Sequence, residues 1–239
     1  MAGQYIEPMP LPAFLRAPSQ CEVCRQWSER ALCADCLARF AAPVSRCARC
    51  GLRLGLNAAA CGACLREPPP FERTRCVADY GFPWDRLIAA FKFEGRIELA
   101  GVLATALHAA VTAEATDLPK LVLPVPLAPR RLAERGYNQA WELARRVAAL
   151  TRLPARADVL LRPWETAHQA DLGRAERQRN LRHAFMVEAR LRHTFQGLRV
   201  ALVDDVMTTG ATVTMAAAAL LRAGAAAVDV WVLARTPAH

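Results

Sequence analysis

One stretch governs how the rest of the chain can fold: RVALVDDVMTTGATVTMAAAALLRAG, residues 199–224. Residues 200–203 are an unbroken apolar run, the pattern of a strand buried on both faces. Two adjacent carboxylates, Asp204 and Asp205, stand where that strand is expected to end. A turn of small residues follows (Thr208, Thr209, Gly210, Ala211 and Thr212), and residues 213–223 have helical spacing, with Gly224 just past the last turn. A strand that delivers a tight turn to a helix N-terminus makes an anion site, because unpaired backbone N–H groups and the positive end of the helix dipole face the turn. The threonine hydroxyls add donors. Two carboxylates beside an anion would repel it, so the acidic pair is expected near the surface, facing neutral groups such as the vicinal hydroxyls of a sugar.

This arrangement resembles the 5-phosphoribosyl-1-pyrophosphate (PRPP) binding motif of type I phosphoribosyltransferases. The resemblance implies that Asp204 and Asp205 hold the ribose 2′- and 3′-hydroxyls. It also implies that Thr208, Thr209, Gly210, Ala211 and Thr212 cradle the 5′-phosphate.

Near the other end of the chain stand eight cysteines in four identical pairs: Cys21/Cys24, Cys33/Cys36, Cys47/Cys50 and Cys61/Cys64. Two thiolates separated by two residues chelate one ion from a single turn, and a second pair completes a tetrahedral shell. Two four-cysteine zinc sites are expected, both structural, because no ligand position is left open for water. Sequential pairing of the first four and the last four cysteines is preferred over interleaved pairing, which the spacing also allows. The large apolar residues here (Trp27, Leu32, Leu37, Phe40, Leu52, Leu54 and Leu56) are too few for an independent core. Folding is therefore expected to depend on metal, whose binding contributes on the order of 10–16 kcal/mol in comparable modules. Cys76 is left over and suits a small core position.

Residues 1–20 are broken by Pro8, Pro10, Pro12 and Pro18 and hold no apolar secretory core. No run approaches the roughly 20 apolar residues that cross a bilayer. A cytoplasmic protein without membrane insertion is expected, and a reducing compartment favours zinc over disulfides. The formal charge is +9, carried almost wholly by arginine, since Lys92 and Lys120 are the only lysines. That balance suits phosphorylated ligands or nucleic acid, and it equally follows from a GC-rich coding sequence.

After the rigid Pro68-Pro69-Pro70 boundary, residues 75–82 are expected as a strand and residues 83–93 as a helix. Gly95 breaks that helix, and helical spacing resumes over residues 97–113. Residues 120–125 form the next buried strand, followed by a loop over residues 126–139 that carries Arg130, Arg131 and Arg135, and a helix over 140–150. Residues 124–183 contain twelve arginines against six acidic residues, so this half is locally basic. Short strands are expected at 158–161 and 184–187, and an alternating strand at 227–235. Between the short strands lies a polar stretch with Arg162, Thr166, Gln169, Arg177 and Asn180, expected as a mobile loop. His168 and His183 offer no partner in the sequence, and a lone histidine is usually unspecialised. In open parallel sheets ligands gather at the carboxyl ends of strands, so the arginine loop and the acidic pair are expected on one rim.

Taken in order, the cysteine knuckles, LPVPLAPRRLAERGYNQA, the Arg-Thr-Gln-Arg-Asn stretch and VDDVMTTGAT resemble the ComF (ComFC-type competence) family over residues 21–235. The resemblance implies an α/β fold: a mainly parallel, type I phosphoribosyltransferase-like sheet flanked by helices, with a small N-terminal double zinc ribbon. The implied organisation is a leader over 1–20, the double ribbon over 21–67 and the phosphoribosyltransferase-like domain over 71–239. It further implies that Arg130, Arg131 and Arg135 face pyrophosphate, with Mg²⁺ sharing the charge of PRPP. Arg162, Thr166, Gln169, Arg177 and Asn180 would belong to a loop closing over the site. Any chemistry would be displacement at the ribose anomeric carbon through an oxocarbenium-like state, with electrostatic stabilisation of departing pyrophosphate; no residue is an obvious general base.

The family is associated with internalisation of single-stranded DNA during natural transformation, alongside a ComFA-type helicase where one is present. PRPP, single-stranded DNA and such a helicase are the implied partners. An active phosphoribosyltransferase of nucleotide metabolism or salvage is the alternative, and a PRPP-sensing regulator a weaker third. No base-recognition signature is visible, which favours the DNA-uptake role.

Overall fold

The computed structural model describes residues 19–55, 58–113, 117–163 and 184–237. Thr166, Gln169, Arg177, Asn180, His168 and His183 lie outside the described residues, as do residues 1–18 of the expected leader.

The cysteine-rich segment folds as one motif used twice. In the first copy the Arg25 N–H donates to the Cys21 carbonyl at 2.8 Å and the Cys21 N–H to the Gln26 carbonyl at 2.8 Å. In the second, Gly51 donates to Cys47 at 2.9 Å and Cys47 to Leu52 at 2.8 Å. Each knuckle needs a left-handed residue directly after its second cysteine. Gly51 supplies it at φ +71° and Arg25 at φ +62°. The third cysteine of each copy then starts a short helix: Cys33 precedes α1 (Ala34–Phe40) and Cys61 precedes α2 (Gly62–Arg66). In front of the first knuckle, β1 (Ser19–Gln20) pairs antiparallel with β2 (Trp27–Ser28).

Beyond the prolines the chain builds β3 (Arg73–Asp79), α3 (Trp84–Phe93), α4 (Leu99–Thr112), β4 (Leu121–Pro124), α5 (Pro129–Arg135) and α6 (Gln139–Thr151). It continues through β5 (Leu160–Leu161), β6 (Met186–Val187), β7 (Arg199–Met207), α7 (Ala211–Arg222) and β8 (Ala227–Arg235). Among the described residues four strands form a parallel sheet in the order β3-β8-β7-β4, while β5 and β6 pair antiparallel apart from it. The expected α/β class and parallel sheet are what the chain adopts.

Helices cover both faces of the sheet, and the pleat sorts β7 and β8 between them. Ala201, Val203, Trp231 and Leu233 join Leu103, Leu107, Leu143 and Val147 of α4 and α6 in one core. Val200, Leu202, Val228, Val230 and Val232 face the other way, onto Val213, Ala216, Ala217 and Leu220 of α7. This is why residues 227–234 are buried throughout, although the sequence suggested an alternating strand. The first cysteine copy shares the former core: Leu32 and Cys36 cluster with Trp84, Leu87 and Phe91, and the Trp84 indole donates to the Phe40 carbonyl at 2.7 Å. A segment too poor in apolar residues for a core of its own thus borrows one.

Two boundaries depart from expectation. The strand at 199–207 does not stop at Asp204, because β8 keeps pairing with it as far as Met207 opposite Arg235. On its other side, pairing with β4 ends at Pro124 opposite Val203. The sheet therefore splits beside the acidic pair, and a crevice opens there. The arginine-bearing segment after β4 is a helix for residues 129–135, not a loop: Pro129 occupies the first turn and Gly136, at φ +80°, ends it.

Candidate active site

A cleft of about 580 Å³ occupies the crevice. Its walls come from the end of α3 (Lys92, Phe93) and the following Gly95, the β4–α5 connection (residues 125–127), α5 (Arg131, Glu134, Arg135), Gln139, Arg162, residues 204–206 and Thr212. Among the described residues the lining carries four basic side chains against three carboxylates, so the cleft favours an anion on balance.

Asn138 anchors the arginine side of this cleft. Its carboxamide oxygen caps α6 by accepting the N–H of Ala140 at 2.9 Å, while its amide donates to the Val125 carbonyl at 3.1 Å. The Tyr137 hydroxyl donates to the Phe91 carbonyl, tying the same segment to α3. The guanidinium of Arg135 stacks on the Phe93 ring, 5.2 Å from its centroid, and donates to Gln139 Oε1. Arg130 takes another direction: its Nε donates to Glu134 at 2.8 Å, and it does not line the cleft.

The acidic pair divides into two roles. Asp205 is buried, 2% exposed, contrary to the expectation of two surface carboxylates. Lys92 meets its Oδ1 at 2.8 Å, the Val206 N–H donates to the same oxygen at 2.6 Å, and among the described residues its Oδ2 has no hydrogen-bond partner. Asp204 accepts the Asp205 N–H at 2.9 Å. Burial, then repulsion from the Asp205 carboxylate, push the Asp204 acid up to about 8. An acid raised this far, in a cleft, beside a carboxylate neighbour, makes Asp204 a candidate functional residue.

The turn after β7 is shaped by Gly210. Its φ of +85° suits glycine, and a Cβ there would lie 2.8 Å from Met207 Cε. Thr209 Oγ1 accepts the Ala211 N–H at 3.3 Å, and α7 begins with the Thr214 N–H on the Gly210 carbonyl at 2.9 Å. Of the five expected phosphate-turn residues Thr212 lines the cleft; Thr208, Thr209, Gly210 and Ala211 form the turn and first helical position beside it.

Near the other end of the sequence, Cys21, Cys24, Cys33 and Cys36 form one cluster and Cys47, Cys50, Cys61 and Cys64 the other, with all sulfurs of a cluster within 4.8 Å of one another. Sequential pairing is therefore the one adopted. The Cys24–Cys33 and Cys50–Cys61 sulfurs stand 3.7 Å apart, too far for a disulfide and close to the roughly 3.8 Å edge of a tetrahedron of zinc–thiolate bonds. Backbone N–H groups of Cys33 and Cys61 donate to the sulfurs of Cys21 and Cys47 at 3.4 and 3.2 Å, which favours thiolates. The donor set, the spacing and these amides fit two closed zinc sites.

No family model matches the chain. It is 38% identical over 230 residues to the "DNA utilization protein YhgH" of Salmonella typhi, covering 93% of this chain and all of that one. It is 34% identical over 212 residues to "Competence protein F" of Haemophilus influenzae, covering 87% of this chain and 92% of the relative. The chain belongs to the ComF family. A more distant ComF relative, "Competence protein ComFC" of Bacillus subtilis, is 28% identical over 163 residues and shares 68% of this chain and 64% of its own length. Among solved structures, the glutamine PRPP amidotransferase of B. subtilis, complexed with ADP and GMP, aligns at a TM-score of 0.43 and 18% identity, over 60% of this chain and 30% of that chain. Adenine phosphoribosyltransferase from Leishmania donovani aligns at 0.35 and 18%, over 59% and 53%.

In this ComF-family chain the cleft thus gathers Asp204, Asp205, Thr212, Arg131, Arg135 and Arg162 from the residues singled out by sequence, and leaves Arg130 outside. Lys92, Phe93 and Gln139 were not anticipated. Lys92 carried one usable signal, being one of two lysines in a chain that otherwise uses arginine. Among the described residues no helix is long and apolar enough to cross a membrane.

Proposed function

We propose that the chain binds PRPP·Mg²⁺ in this cleft and serves the uptake of single-stranded DNA during natural transformation, beside a ComFA-type helicase where the cell has one. Asp204 and Asp205 take the ribose hydroxyls, the turn from Thr208 to Thr212 takes the 5′-phosphate, and Arg131 and Arg135 face pyrophosphate with Mg²⁺ sharing its charge. Residues 21–67 act as a double zinc ribbon and 71–239 as the PRPP-binding unit. The names of the relatives, a competence protein and a DNA utilization protein, support the DNA role.

The observation that carries the PRPP reading is the convergence of the acidic pair, Thr212 and two α5 arginines on one cleft. Those chemistries match a sugar diol, a phosphate and a pyrophosphate respectively. Asp204, held as a neutral acid near pH 7, can ionise when a cation or diol donor arrives to stabilise the charge.

Titration with a short single strand, with and without PRPP·Mg²⁺, tests the pairing of the two roles. Affinity for the strand is expected to fall steeply between about 50 and 200 mM salt. Salt-independent binding, or none, removes the DNA role. Pyrophosphate release from PRPP·Mg²⁺ with any member of a panel of bases and amines would move the chain to the alternative, an active phosphoribosyltransferase.

A further inference from the structure

Arg235, the last residue of β8, joins two parts of the molecule that the sequence keeps far apart. Its Nε donates to the carbonyl of Cys50, the second ligand of the second four-cysteine cluster, at 3.0 Å. Its Nη1 donates to the Met207 carbonyl at 3.0 Å, to the Thr236 carbonyl at 2.9 Å and to the Thr208 carbonyl. Met207 and Thr208 lead directly into the turn before α7. One planar guanidinium therefore spans from a cysteine knuckle to the approach of the turn.

The guanidinium cannot follow both sides independently. Its donors are fixed in one plane, so a shift of the Cys50 carbonyl must be answered by a shift of the fork or by loss of a bond. The Cys50 carbonyl is itself placed by the knuckle, where the Gly51 N–H bonds back to Cys47 at 2.9 Å. On the other side the turn passes into α7 through Gly210, whose φ of +85° is in the left-handed region that favours glycine. A charged guanidinium bonded to carbonyls of both segments ties their positions together through one rigid plane.

We propose that Arg235 is a positioning residue that couples the second four-cysteine metal site to the turn at residues 208–210. Zinc there and the phosphate group of the cleft ligand bind cooperatively through it. The claim rests on the PRPP reading for the ligand, but not for the coupling between knuckle and turn. Reciprocity follows: if zinc shapes the turn for the phosphate, a bound phosphate must slow zinc loss from the knuckle.

The test uses the full-length, zinc-loaded protein and its Arg235→Gln and Arg235→Lys variants. Three quantities are measured: PRPP·Mg²⁺ affinity by calorimetry, deuterium uptake of the peptide covering residues 207–210, and zinc release to a chromophoric chelator with and without PRPP·Mg²⁺. With two zinc ions retained, Arg235→Gln is expected to bind PRPP·Mg²⁺ about tenfold more weakly. Its turn should exchange faster, and the ligand should no longer slow its zinc release. Arg235→Lys, which keeps the charge but reaches one side at a time, should fall between.

A purely structural role would lower the melting temperature and leave ligand-dependent zinc release as in the wild type. That result, or unchanged affinity, overturns the proposal. Should Arg235→Gln not fold, Arg235→Lys decides by the same criteria. If the wild type itself fails to bind PRPP·Mg²⁺, the PRPP reading falls, and turn exchange alone judges Arg235: faster in the variant supports the coupling, unchanged refutes it.

Discussion

Lys92 and Asp205, on different elements and far apart in sequence, meet at 2.8 Å inside the cleft, with 19% and 3% of their side chains exposed. The pair explains how two adjacent carboxylates coexist at one strand end. Asp205 is paired with the Lys92 ammonium, and burial beside the Asp205 carboxylate makes Asp204 hold its proton. The cleft therefore contains one carboxylate paired with a cation and one raised acid that a ligand can ionise.

Breaking that pair from the lysine side should be costly. Lys92→Met leaves the Asp205 carboxyl buried without its cation, and among the described residues its Oδ2 already has no hydrogen-bond partner. A loss of about 3 kcal/mol in unfolding free energy is expected at pH 7. Adding Asp205→Asn should restore part of it, giving a coupling of about 1 kcal/mol or more in the cycle. Urea unfolding of the four proteins measures this; strictly additive losses would show that the two side chains do not interact.

Asp204 sets a pH dependence with a definite sign. Its acid stands near 8 in the folded chain, against an ordinary value of 3.8. The folded state then binds a proton that the unfolded state has given up, so this contribution is complete below about pH 4 and is lost as pH rises towards 8. In Asp204→Asn that loss is absent. At pH 8 the variant is expected to melt about 2–4 °C above the wild type, narrowing towards low pH. Parallel melting curves from pH 5 to 9 would contradict the raised acid.

Zinc should matter beyond the cysteines. Leu32 and Cys36 belong to the same core as Trp84, Leu87 and Phe91, so stripping metal from the first cluster loosens the packing of α3. Two zinc ions per chain are expected, with chelation raising deuterium uptake over Ala34–Phe40 and Trp84–Phe93 together. Metal-free protein with full protection over Trp84–Phe93 would show that the module is merely attached.

Much of this was legible in the sequence because local chemistry decides it. The apolar run, the turn residues and the helix of residues 199–224 follow from period and capping, and the cysteine pairs follow from chelate geometry. What escaped was set by neighbours distant in the chain. Nothing near Asp204 says that β8 will carry the strand on to Met207, and nothing near Lys92 points to Asp205. The helix at Pro129–Arg135 was signalled by Pro129 and Gly136, but the density of arginines gave the segment the look of a binding loop. Much of that basic excess is answered locally: Glu142 pairs with Arg145 and Arg146, Asp158 with Arg156, and Glu134 with Arg130. Charge counting alone could not separate these from Arg131 and Arg135.

On the proposed reading, one cleft recognises a phosphorylated sugar through Asp204 and its neighbours. Calorimetric titration of PRPP·Mg²⁺ into the wild type and Asp204→Asn at pH 7.5 tests it most directly. Saturable one-site binding to the wild type is expected, with at least about tenfold weaker binding to the variant, as befits loss of a charged hydrogen-bond acceptor, while the variant stays folded. Equal affinities for the two proteins, or no binding to either, would contradict it.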